Sequence, residues 1–235
     1  MSAYNTEKYI GEAIQSILNQ TFTSFEFIII NDGSTDGTVE IIQSFSDSRI
    51  RLIDQSNSGI PRSLNTGIAL AEADLIAHVD SDDIFFPQML EKLYEVMLAN
   101  PEYGIVGSNT DYMEVNGDYI FTHTTPNTHN EITNVVSKKC PFIHSGVMYR
   151  RGQVLKAGGY DVNAHSFQDH ILWANLLKIS RGHNIQEPLA KVRLNPTSMT
   201  IDERWRPRRF HQIRENGIKN GKLTIQVDIS PIPCQ

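Results

Sequence analysis

The sequence predicts an α/β fold of three layers, with helices packed on both faces of a mostly parallel sheet. Three observations carry that prediction. Helix and strand patterns alternate through residues 1–100, the order that builds parallel sheets. Two apolar runs, Phe25–Ile30 and Leu75–Val79, each end in an aspartate-bearing turn. No stretch rich in Pro, Gly and Ser divides the chain, so the parts pack as one continuous domain.

The elements follow in order. Ile10, Ala13, Ile14, Ile17 and Leu18 lie at helical spacing, so segment 7–19 reads as an amphipathic helix with Asn5 or Thr6 as its cap. Phe25–Ile30 is rich in β-branched and aromatic residues and suits a strand buried on both sides. Asn31-Asp32-Gly33-Ser34-Thr35-Asp36-Gly37 is a turn cluster. Segments 38–46, 50–54, 60–72 and 74–79 read as helix, strand, helix and strand. Pro87 opens a further helix with Leu90, Leu93, Tyr94, Met97 and Leu98 on one face. Beyond residue 100 the pattern becomes α+β. Ile105-Val106-Gly107 reads as a strand, and segments 111–115 and 118–123 flank Asn116-Gly117, a hairpin signal. Segment 145–150 reads as a strand and 167–180 as a helix. The expected organisation is an α/β half at 1–100, a mixed half of the same domain at 101–200 and a tail at 201–235.

Composition excludes several classes. The net charge of -6 disfavours binding to a phosphate backbone, so nucleic acid is not the expected partner. The two cysteines, Cys140 and Cys234, form neither a metal spacing nor a disulfide framework and fit a reducing cytoplasm. No apolar run approaches the ~20 residues of a membrane span, and no signal-peptide pattern is expected.

The strongest chemical signal is Asp80-Ser81-Asp82-Asp83, directly after the apolar run Leu75–Val79. Open α/β sheets bind ligands at the carboxyl ends of their strands. Three carboxylates crowded there repel one another, and hard oxygen donors suit Mg²⁺ or Mn²⁺ held together with substrate phosphates. The plainer alternative is a capping cluster on a solvated loop. Asp32 also follows a strand and could meet a base or ribose, or simply serve an Asp-Gly turn.

These strand-end aspartates, in their order and spacing, resemble the family 2 glycosyltransferases. The matching residues are Ala3-Tyr4-Asn5 with Glu7, Ser16 to Thr21, Asn31 to Thr38, Leu64-Asn65-Thr66-Gly67-Ile68 and Asp80-Ser81-Asp82-Asp83. His144-Ser145, Gly158-Gly159-Tyr160-Asp161 and Gln168 to Trp173 continue the likeness, which covers roughly residues 3–200. The resemblance implies a GT-A, Rossmann-like fold and an inverting transfer of sugar from a nucleotide-diphosphate donor, UDP first among them, to a carbohydrate-bearing acceptor. It implies that Tyr4, Asn5 and Glu7 line the nucleotide pocket and that Asp32 contacts the base. Asp80 then lies near the ribose, Asp82 binds the metal, and Asp83 either contacts phosphate or acceptor or only orients the turn. Asp169 is the implied catalytic base; on its own it reads more readily as a helix cap. Arg62 could contact donor phosphate or sit on the surface. His144 could contact acceptor or diphosphate, or be structural. Arg193 could neutralise diphosphate. In the resembling pattern a histidine often follows two residues after that arginine, where this chain has Asn195.

The resemblance also implies an apolar strand before the Tyr4-Asn5 turn. The chain opens Met1-Ser2-Ala3, so the expectation is a first strand cut short, its flank left unpaired, and a start assigned at an internal methionine. Arg204-Trp205-Arg206-Pro207-Arg208-Arg209-Phe210 is basic with interleaved aromatics. It reads as a solvated helix end, or as a peripheral contact with the inner face of a membrane. A homodimer is the default expectation for assembly. Two alternatives remain at this stage: a nucleotidyltransferase, and an inactive nucleotide-sugar-binding protein.

Overall fold

The computed structural model describes residues 1–164, 166–194 and 208–222, without the side chains of Arg208, Arg209, Phe210 and Ile213. The first half runs β1 (Ser2–Ala3), α1 (Ile10–Leu18), β2 (Phe27–Asn31), α2 (Thr38–Gln43), β3 (Ile50–Asp54), α3 (Ile60–Leu70), β4 (Leu75–His78), β5 (Ile84–Phe85) and α4 (Met89–Ala99). The second half runs β6 (Tyr103–Met113), β7 (Tyr119–His123), α5 (His129–Val135), β8 (Val147–Arg150), α6 (Arg151–Lys156), α7 (Gln168–Leu176), β9 (Arg181–Arg193) and α8 (Arg208–Asn220).

The strands form two sheets. One is parallel, in the order β1-β2-β3; the other is mixed, in the order β4-β8-β6-β9-β5 with β7 on β6. The parallel character expected of the whole sheet is thus confined to the first three strands and the β6–β9 pair. The other ladders are antiparallel. β1 pairs with β2 through Ser2–Ile30 and Ala3–Asn31. Among the described residues no ladder joins β1 to β4. An apolar cavity of about 220 Å³ fills the gap, lined by Met1, Ile28, Leu64, Ile68, Leu75 and Ala77 among others.

Helix periodicity translates directly into packing. Ile10, Ala13, Ile14 and Ile17 of α1 are buried, as the spacing predicts. Ile10, Ile14 and Ile17 join Phe27, Ile29, Met89, Leu93 and Met97 in one core. A second core gathers Leu64, Ile68, Tyr149, Tyr160, Leu172 and Trp173 between α3, β8 and α7. The cap of α1 differs from expectation. Tyr9 occupies the cap position and makes no side-chain cap bond. Asn5 and Thr6 are drawn instead toward the 34–38 turn, where Thr35 N donates to Asn5 Oδ1 at 2.8 Å and Thr6 N to Thr38 Oγ1 at 2.9 Å.

Asn116-Gly117 makes the expected hairpin between β6 and β7, with Gly117 at φ 94°. Within 201–235, α8 packs on α7, and Asn175 Nδ2 donates to Gly221 O at 2.6 Å. The basic segment at 204–207 lies outside the described residues, as does Asn195. Among the described residues no helix is long and apolar enough to cross a membrane.

Candidate active site

β4 delivers Asp80 to the carboxyl end of the mixed sheet, and the chain turns there under side-chain control. His78 Nε2 lies 2.9 Å from Asp80 Oδ1. Ser145 Oγ accepts from Asp80 N at 3.2 Å. The His144 ring stacks on His78 at 3.8 Å between centroids, with its Nδ1 3.9 Å from Asp80 Oδ2. Its Nε2 lies 2.9 Å from the Tyr160 hydroxyl. Burial works against ionisation of Asp80, but the charge and hydrogen bond of His78, with His144 and the Met1 amine, hold its carboxyl well below the usual range. Burial, with His78 alongside, pushes His144 down to about 4, so its imidazole is neutral at pH 7.

Asp82 is half-buried and Asp83 buried. Asp83 Oδ1 accepts from Arg193 N at 2.9 Å. Burial first, then the charges of Asp82 and Asp80, push the Asp83 carboxyl well above the usual range. Arg193 is buried, and its guanidinium is engaged on every side. Nε donates to Asp82 O at 3.0 Å, Nη1 to Val115 O at 2.7 Å and Nη2 to Glu12 Oε2 at 2.6 Å. The Tyr9 ring lies 4.9 Å below it. In this arrangement Arg193 holds the aspartate turn rather than presenting its charge to a ligand.

The residues around β1 and β2 divide in the same way. Asp32 is buried and accepts from Gln55 Nε2 at 2.8 Å, Ser58 N at 2.9 Å and Gly59 N at 2.9 Å. Burial opposes its ionisation, yet these bonds, with Ser63, outweigh that and lower its pKa. Asp32 thus fixes loop 55–59. Glu7 Oε2 accepts from Gly37 N at 2.8 Å, and Asn5, at φ 52°, holds the same turn. Tyr4 is 49% exposed. Arg62 is exposed on the first turn of α3.

Asp169 stands in the first turn of α7, whose Leu172, Trp173 and Leu176 anchor it in the second core. Cys140 Sγ lies 3.7 Å from Asp169 Oδ2. Asp80, Asp82, Asp83 and His144 therefore gather beyond the end of β4, with Asp169 close enough to act on the His144 charge. Ser145 and Tyr160 entered the sequence reading only as matching residues without a role, and His78 and Cys140 were given none. His78 was within reach, because residues two apart on a strand share a face with Asp80. Cys140 carried no sequence signal.

The donor set fits a hard divalent cation. Repulsion among Asp80, Asp82 and Asp83 is what a cation bound by carboxylate oxygens would relieve. His78, Asp80 and His144 also offer ligand atoms within 4.8 Å of one another.

The chain resembles known proteins in sequence and in fold. The sequence model described as Glycosyl transferase family 2 matches residues 1–159. The putative glycosyltransferase EpsE of Bacillus subtilis is 33% identical over 203 residues, which cover 82% of this chain and 71% of that protein. The O-antigen biosynthesis glycosyltransferase WbnJ of Escherichia coli is 31% identical over 204 residues, covering 84% and 79%. Among solved structures, S. aureus TarS 1-349 in complex with UDP-GlcNAc superposes with a TM-score of 0.70 at 18% identity, covering 86% of this chain and 59% of that one. The mannosyltransferase PcManGT from Pyrobaculum calidifontis, in complex with GDP-Man and Mn²⁺, gives 0.68 at 17%, covering 91% and 61%. This chain thus spans about six-tenths of those solved chains, and at these identities the likeness shows the fold. Fold and strand-end carboxylates together define a glycosyltransferase of GT-A architecture. The chain belongs to glycosyl transferase family 2. That membership displaces the nucleotidyltransferase alternative.

Proposed function

We propose that the protein transfers a sugar from a nucleotide-diphosphate donor, UDP-linked in the first instance, to a carbohydrate-bearing acceptor with inversion at the anomeric carbon. One observation carries this reading: the repelling carboxylates Asp80, Asp82 and Asp83 occupy the end of β4, in a cleft that also holds Asp169. The UDP-GlcNAc complex of TarS supports UDP, and the GDP-Man complex of PcManGT keeps GDP in the screen.

In this reading Asp82 holds Mn²⁺ or Mg²⁺, which supplies charge neutralisation for the departing diphosphate. Asp80, oriented by His78 and Ser145, faces the ribose end of the donor. Asp32 acts through loop 55–59, which it fixes as a wall for the base, while Tyr4 closes the mouth of that pocket. The acceptor oxygen attacks the anomeric carbon as the bond to the diphosphate oxygen breaks, and the diphosphate leaves with the bonding electrons. Asp169 takes the acceptor hydroxyl proton. A carboxylate is a weak base, and it suffices when that transfer comes late, after the hydroxyl has become acidic. The core behind Trp173 holds α7, and so Asp169, in place.

Calorimetry with UDP, GDP and dTDP tests the donor site, each with Mn²⁺ and with EDTA, on wild type and Asp82→Asn. The expected result is metal-dependent binding of one nucleotide, weakened at least tenfold in Asp82→Asn. Absence of binding to all three by folded protein would overturn the donor assignment.

A further inference from the structure

We propose that the ring of Phe121, backed by Tyr112, is the platform on which a sugar ring of the acceptor stacks. The inference deepens the glycosyltransferase reading and rests on it, since it names where the acceptor lies.

β7 is an edge strand with Tyr119 to Thr122 exposed. Its register sorts the side chains onto two faces. Tyr112 pairs with Phe121 and Asp111 with Thr122, and an irregularity then brings Tyr119 opposite Met113, leaving Ile120 without a partner. Thr122 Oγ1 donates to Asp111 Oδ1 at 2.6 Å and lies 3.1 Å from the Tyr119 hydroxyl. Tyr119 and Thr122 are thus engaged together with Asp111. Phe121 and His123 group instead around Tyr112. The Phe121 ring lies 4.8 Å from the Tyr112 ring with 10° between planes, and His123 meets Tyr112 edge-on at 6.2 Å. One face of Phe121 is covered by that stack, yet the residue remains 44% exposed.

This stack borders the reaction cleft. Tyr112 pairs with Val192 on β9, and the next residue, Arg193, binds Asp83 through its backbone N–H. Burial, then the charges of Asp83 and Cys140, push the Tyr112 hydroxyl up to about 12. The Cys140 thiol is the group beside Asp169. The strand pairing therefore sets Tyr112 one residue pair from the Arg193 that holds the aspartate turn.

The chemistry fits a carbohydrate. An aromatic face with one apolar side open receives the C–H face of a pyranose, while polar groups at its edge take the hydroxyls. His123 supplies such an edge, and burial lowers its pKa so that the ring is neutral and can both donate and accept. On its exposed strand Phe121 stands between Ile120 and Thr122, with His123 edge-on to the same Tyr112 ring.

Saturation-transfer NMR tests the platform with methyl α- and β-glycosides of glucose, galactose, mannose and N-acetylglucosamine, with and without UDP and Mn²⁺. The expected result is transfer to the ring protons of at least one glycoside. Phe121→Ala should reduce it at least fivefold and Phe121→Tyr should keep it, with nucleotide affinity unchanged within twofold in both. Sugar signals that persist in Phe121→Ala, or none in wild type, would overturn the proposal. A wild type that dimerises by gel filtration while Phe121→Ala is monomeric would also overturn it, assigning the ring to a second copy. Because the sugar signal is read without nucleotide as well, a failed donor site shows up separately as lost UDP binding.

Discussion

Arg193 Nη2 stands 2.6 Å from Glu12 Oε2, and this contact joins α1 to the aspartate turn at the end of β4. The same guanidinium binds the carbonyls of Asp82 and Val115, so one buried side chain connects α1, the turn and the end of the β6–β7 hairpin. Its charge, which sequence reasoning assigned to diphosphate, serves here as a structural clamp. Arg193→Met strands two carbonyls and removes a charge-assisted bond. The expected cost is about 2–4 kcal/mol in urea unfolding, with the Glu12→Gln cost smaller because Glu12 is largely exposed.

Asp83 is destabilised as a carboxylate by burial and by Asp82 and Asp80. A carboxyl whose folded pKa is raised binds more protons in the native state, so its contribution is present at low pH and is lost as pH rises through that pKa. Asp83→Asn keeps an acceptor for Arg193 N and removes the repulsion. In EDTA at pH 7 its Tm should exceed that of wild type by about 2–4 °C, measured by calorimetric scan.

His144 runs in the opposite sense. Its folded pKa of about 4 lies below the usual 6.5, so between those values the unfolded chain binds more protons than the native one. Stability therefore rises with pH through this window, by on the order of 3 kcal/mol, and falls as the solution is acidified from 6.5 toward 4. His144→Gln should flatten that part of the stability–pH curve, read from urea midpoints at half-unit intervals.

Asp32 takes bonds from Gln55, Ser58 and Gly59 in a buried position. Asp32→Ala leaves those donors without their acceptor and should cost about 2–4 kcal/mol. Limited proteolysis should then cut within loop 55–59 at protease levels that leave wild type intact, and UDP affinity should fall with the loss of the loop.

Legibility followed the range of the interactions. The α1 face, β2, β3, α3, the Asn116-Gly117 hairpin and α7 were readable because each is set by periodicity or turn chemistry within a few residues. β9 was not. Arg181–Arg193 mixes Gly182, Pro188 and scattered charges, with no alternation to mark it. Its long pairing with β6, through several register irregularities, is what makes it a strand. The cap of α1 failed for a related reason: Asn5 and Thr6 found partners in the 34–38 turn, thirty residues away along the chain.

The sequence by itself determined that carboxylates would crowd the end of a buried strand, because an apolar run followed by Asp80-Ser81-Asp82-Asp83 fixes both the strand and the charge that follows it. It also determined where Asp169 would stand, at the start of a helix with an apolar face. Only the tertiary structure decided what surrounds those charges. The His78–His144 stack, the Tyr160 contact, the Arg193 clamp and the closure of loop 55–59 on Asp32 all join residues far apart in the chain. Their energies depend on burial and on distances of a few ångströms, quantities that local sequence patterns do not encode.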